Sequence, residues 1–65
     1  IYPNPAQTEI QVELNEPSII LIQDLNGKTI FNQEVLPGQK IDIQEFKSGI
    51  YLIESKNQHG KFIKN

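Results

Sequence analysis

Ile19, Ile20, Leu21 and Ile22 form the longest apolar run in the chain, and it is closed off by Pro17 on one side and by the Asn26-Gly27 pair on the other. A helix needs a longer stretch than those breakers leave, whereas a strand does not, and three of the four residues are β-branched. The run is therefore a strand. Being apolar at successive positions, it is expected to lie in the middle of a sheet with both faces covered.

The rest of the chain follows the same rhythm of short strands and turns. Ile10, Val12 and Leu14 alternate with Gln11, Glu13 and Asn15, the period-two pattern of a strand with one buried face. Asp24, Leu25, Asn26 and Gly27 are a turn signal, since Asn and Gly tolerate positive φ and the Asp24 side chain can cap the turn. This turn joins the central strand to residues 28–35 as a hairpin. Pro37 and Gly38 make the next turn, Ile41 and Ile43 flank Asp42 in a short alternating strand, and Phe46 plugs the core from the following connection. Gly49 opens a further central strand, with Ile50 and Leu52 on one face and Tyr51 and Ile53 on the other. Residues 57–60 read as a polar turn that holds His59, and 61–64 as the last strand. With a short edge segment at Ile1 and Tyr2 the total is about seven strands, and at most a single helical turn fits near residues 45–48. Such spacing predicts an all-β fold, a small immunoglobulin-like antiparallel sandwich.

Sixty-five residues make one thin core, near the lower limit for a chain that folds without disulfides or metal, and cysteine is absent. Residues 1–65 are read as a single domain. Six basic and eight acidic residues, interspersed to a net charge of −2, lack the concentrated basic surface that nucleic acid requires. No apolar run approaches the ~20 residues of a membrane-spanning helix. The chain begins at Ile1 with no charged-then-apolar leader, and is expected to be a segment of a longer protein.

Reactive chemistry finds little support. His59 is the only histidine, set between Gln58 and Gly60 with no evident orienting partner, and a catalytic or metal role needs other groups converging on it. Asp42 is expected to face solvent and Glu54 to end a strand, while Ser18, Ser48 and Ser55 have no neighbouring base. A calcium site at Asp24 to Asn26 has too few oxygen ligands in sequence. No catalytic residue, metal site or cofactor is expected.

The two ends are more informative. Pro3 and Pro5 flank Asn4 and hold the lead-in extended, with Tyr2 beside a domain boundary. At the other end Lys61 and Lys64 are three apart, so on a strand they point to opposite faces, Lys61 with Ile63 and Lys64 with Phe62. A strand protected by lysine from edge pairing is the ordinary explanation.

Tyr2-Pro3-Asn4-Pro5, Asp24-Leu25-Asn26-Gly27-Lys28, Ile41-Asp42-Ile43 leading to Phe46, Ser48-Gly49-Ile50-Tyr51-Leu52-Ile53 and Gly60-Lys61-Phe62-Ile63-Lys64, taken in order, resemble the type A C-terminal sorting domain of the type IX secretion system of Bacteroidota. The likeness covers essentially the whole chain. It departs from the family pattern at Phe46, where an aliphatic residue is commoner, and at Lys47, where proline is common. The resemblance implies an immunoglobulin-like sandwich at the C-terminus of a larger secreted protein, recognised by the outer-membrane translocon. It further implies passage through the periplasm, removal by a sortase-like protease, and a destination at the cell surface or outside it. By position it carries recognition to Gly49, Tyr51, Lys61 and Lys64, and boundary geometry to Tyr2, Pro3, Asn4 and Pro5. The partners implied are the translocon, the protease and an upstream cargo domain. A sorting domain is expected to end its chain at or just after Asn65.

Two other classes compete with this reading. An adhesive or spacer module is one, although sugar binding wants an exposed aromatic platform, and Tyr2, Phe31 and Tyr51 are few and expected in the core. An enzyme is the other, and no residue constellation favours it.

Overall fold

The computed structural model describes residues 2, 5–56 and 58–65. Among them are six strands and no helix: β1 Glu9–Gln11, β2 Ser18–Asp24, β3 Thr29–Val35, β4 Lys40–Asp42, β5 Gly49–Glu54 and β6 His59–Lys64. Strands β3-β2-β5-β6 form a four-stranded antiparallel sheet, and β1 and β4 pair antiparallel in a two-stranded one. The two pack as a small sandwich, as the spacing of strands and turns predicts, with one strand fewer than expected. Tyr2 contributes an isolated bridge to Gln11 in place of an edge strand, and Ile1 lies outside the described residues.

Alternation decides which side chains enter the core. Ile20 and Ile22 from β2, Tyr51 and Ile53 from β5, and Phe62 from β6 point inward and meet Ile10, Val12, Ile41 and Ile43 from the opposite layer. Phe46, half-buried, packs against this cluster, in keeping with a plug in the β4–β5 connection. The connection turns at Gln44 and Glu45, where the Phe46 N–H reaches the Ile43 carbonyl at 3.0 Å, and no helix forms there.

β2 is central in strand order, but only one of its faces is covered. Ile19 is 57% exposed while Ile20 is fully buried. β5 shows the same split, Ile50 and Leu52 being exposed and Tyr51 and Ile53 buried. The reason lies in the opposite layer. Its two strands have three residues each and screen one side of the larger sheet, and among the described residues no second layer screens the other. β1 is also shorter than the Ile10–Leu14 alternation suggests. Val12 is buried and Leu14 packs on the core, but β4 stops at Asp42, opposite Glu9, and begins at Lys40, opposite Gln11, so nothing remains for residues 12–14 to pair with.

The β2–β3 hairpin closes as its sequence dictates. Asp24 Oδ1 accepts the N–H groups of Asn26 and Lys28, both at 2.9 Å, and the Asp24 carbonyl accepts the Gly27 N–H at 3.0 Å. Gly27 supplies the positive φ of 86°, which an L side chain rarely adopts. We expect Asp24→Ala to strip two backbone donors of their acceptor and to lower stability by about 1 kcal/mol, read as a shift in the urea midpoint at constant slope.

Candidate functional site

β5 and β6 form the terminal hairpin, and their register places each residue singled out in the sequence. Gly49 lies opposite Lys64, Tyr51 opposite Phe62, and Leu52 opposite Lys61. Gly49 has φ 149°, a backbone conformation that favours glycine, at the point where the chain leaves the connection and enters the sheet. Tyr51 is 6% exposed. Its ring stacks on Phe62 at 5.5 Å between centroids and leans on Phe46 at 5.1 Å, separations at which aromatic pairs attract beyond their buried area. The phenol donates to the Lys47 carbonyl at 2.7 Å, so the one polar atom that Tyr51 carries inward is satisfied.

Lys61 and Lys64 lie on opposite faces of β6, as strand geometry requires. Lys61 is exposed beside the apolar side chains of the outer face, where Ile50 pairs with Ile63. Lys64 is half-buried on the face of Phe62, and its Nζ donates to the Asn65 carbonyl at 3.2 Å. These two cations do not form a patch.

His59 is not in a turn. It is the first residue of β6 and lies opposite Glu54, with Nδ1 at 3.7 Å from Glu54 Oε2. The sequence reading gave His59 no partner because Glu54 is five positions earlier and becomes a neighbour only when the hairpin closes. Both groups are well exposed, and a pair of that kind contributes little to stability. Asn57, read as part of the same turn, lies outside the described residues.

The lead-in reaches both sheets. Tyr2 exchanges two backbone hydrogen bonds with Gln11, at 3.0 and 2.8 Å, which attaches it to the two-stranded layer. Ala6, fully buried, bridges β6 in parallel: its N–H donates to the Ile63 carbonyl and its carbonyl accepts the Asn65 N–H, both at 2.8 Å. Tyr2 is 48% exposed and is not a core residue, in contrast to the expectation for it; its place comes from backbone pairing and not from its ring. Pro5 is exposed, and Pro3 and Asn4 lie outside the described residues. Sequence reasoning missed Ala6. The available signal was a lone small apolar residue directly after the Pro-Asn-Pro motif, which fits where two backbones approach closely.

The arrangement brings Ala6, which follows the N-terminal motif in sequence, beside the last strand, and among the described residues it gathers no nucleophile with a base. The residues named for recognition divide into two kinds. Gly49 and Tyr51 set the backbone path and the packing of the hairpin, whereas Lys61 presents a charged side chain to solvent. Ala6, directly after the boundary motif, bridges Lys64 of the terminal strand.

No curated protein and no solved structure matches the chain. A family model described as a secretion system C-terminal sorting domain matches residues 1–65, the whole chain. With the sandwich, the terminal hairpin and the lead-in all inside that match, the chain belongs to the secretion system C-terminal sorting domains, non-catalytic modules that serve as signals for type IX export to the cell surface or beyond.

Proposed function

We propose that residues 1–65 act as one folded domain that the type IX outer-membrane translocon reads through the β5–β6 hairpin, with cargo attached ahead of the lead-in. In this reading Gly49 and Tyr51 hold the hairpin in shape, and Lys61 and Lys64 offer charges from its two faces. Tyr2 to Pro5 set the geometry of the boundary at which a sortase-like protease removes the domain after passage through the periplasm. The domain itself performs no reaction. The observation that supports this reading best is the parallel bridge of Ala6 to Lys64, which holds the boundary beside the last strand. A receptor on the hairpin is then also next to the place where cargo and signal meet.

The test is a fusion of residues 1–65 to a periplasmic reporter in a host that has the secretion system. We expect the reporter at the cell surface or in the medium. Retention in the periplasm, with the fusion folded and intact, overturns the sorting reading and leaves that of a spacer module. Cleavage is followed separately by the mass of the exported reporter; a product that keeps all 65 residues overturns the protease step alone.

A further inference from the structure

β6 is an edge strand whose ladder with β5 fixes the direction of every backbone group along it. The Ser55 N–H donates to the Gln58 carbonyl, so on the β6 arm of this hairpin the even-numbered positions bond to β5. The odd-numbered positions therefore face away. Ile63 and Asn65 confirm this parity, because their outward groups are the ones that bond Ala6. His59 and Lys61 have the same parity. Among the described residues nothing pairs with their outward N–H and C=O groups.

Beneath this stretch the sandwich is open. A cleft of about 490 Å³ runs between β6 and the segment that follows β1, with Val12, Ile20 and Ile53 as its floor and Glu13, Gln58 and Gly60 along its rim. Gly60 lines the cleft and, having no side chain, adds nothing to fill it. The floor residues are buried and apolar, while both rims are polar. A buried apolar floor next to unpaired backbone groups is the arrangement that accepts an added strand, main-chain bonds giving affinity and alternate side chains filling pockets. Ala6 occupies the Lys64 end of the same edge, so an added strand at His59 and Lys61 extends a ladder that already exists.

The geometry points to the His59–Lys61 edge of β6 as a docking site for an extended segment of another polypeptide, whose inward-facing apolar side chain enters the cleft over Val12, Ile20 and Ile53. This deepens the sorting reading and rests on it for the source of the segment, which is the export machinery. The opposite edge, β3, is a weaker candidate, since none of its residues lines this cleft.

Two measurements test the docking site. In the first, amide exchange of the 65-residue chain is followed by NMR with and without a short synthetic peptide of alternating valine and threonine carrying a lysine at each end. The His59 and Lys61 amides are expected to exchange about tenfold more slowly with peptide, and those of Thr29–Val35 to be unchanged. Protection at β3, protection at neither edge, or protection that rises with chain concentration in the absence of peptide each overturns the proposal, the last by making a second copy the occupant. In the second, His59→Pro is compared with His59→Ala in the reporter fusion. Proline removes the outward N–H at a strand's first residue, where it is structurally tolerated, and alanine keeps it. With both variants folded by thermal melting, export of His59→Pro is expected to be at least about tenfold below that of His59→Ala. Equal export of the two overturns the docking site but not the sorting reading. If instead the wild-type fusion stays in the periplasm, the sorting reading fails and the exchange experiment alone decides the docking site.

Discussion

Phe62→Ala is expected to unfold the domain. Phe62 is fully buried, stacks on Tyr51 and is the largest of the completely enclosed side chains. Cutting a buried phenylalanine to alanine costs about 3–5 kcal/mol, the lost transfer energy plus a cavity that the surroundings fill only in part. A single core in a chain of this size rarely supplies more than about 3–5 kcal/mol in total. The substitution therefore removes roughly the whole margin, and the consequence is visible without kinetics: the near-ultraviolet dichroism of Tyr51 collapses, and the cooperative thermal transition disappears. Phe62→Leu, which keeps most of the apolar volume, is expected to retain a transition at lower temperature. A Phe62→Ala protein that melts cooperatively near the wild-type midpoint would show that the aromatic cluster is not what holds the two layers together.

Deleting residues 61–65 is expected to abolish both folding and export, with the reporter left in the periplasm or degraded. Lys61 and Lys64 go in that deletion, but so do Phe62 and the partners of Ala6, Ile63 and Asn65. The lead-in then has nothing to bridge on the larger sheet, and β5 becomes an edge with Tyr51 uncovered. Loss of export in the deletion consequently reports on the fold and not on the lysines. The charges are isolated by Lys61→Gln with Lys64→Gln, which leaves every backbone bond and the aromatic stack in place. Normal secretion of the deleted chain would contradict the requirement for a folded hairpin, whereas normal secretion of the double substitution would remove only the lysines from the recognition surface.

Local pattern made most of the strands legible, and it failed where the outcome depends on what lies opposite. Ile41 and Ile43, or Ile10 and Val12, declare their buried face because their neighbours are polar. Ile19 to Ile22 and Ile50 to Ile53 carry apolar side chains on both faces, so periodicity cannot say that one face stays exposed; that follows from the sheet of β1 and β4 covering one side only. Asp24, Asn26 and Gly27 were legible down to the hydrogen bonds, since the whole motif lies within five consecutive positions. The parallel bridge of Ala6 to Lys64 was not, because it joins residues at opposite ends of the chain and parallel pairing leaves no signature in either segment. His59 was misplaced for a related reason. A polar stretch with a glycine resembles a turn, yet the ladder with β5 continues through Gly60 and His59 as far as Glu54.

The lead-in also determines how the molecule responds to being pulled. Tyr2 is fastened to the small sheet and Ala6 to the large one, so tension from any polypeptide attached ahead of Ile1 reaches the two layers in sequence. Tyr2 and its two bonds to Gln11 take the load first. Only after they part does the load pass to Ala6, whose bonds to Ile63 and Asn65 flank one residue of a parallel pair and resist sliding together. A cargo under traction thus loosens the thin layer before it disturbs the terminal hairpin, and the surface proposed for recognition is the last part of the domain to feel the strain.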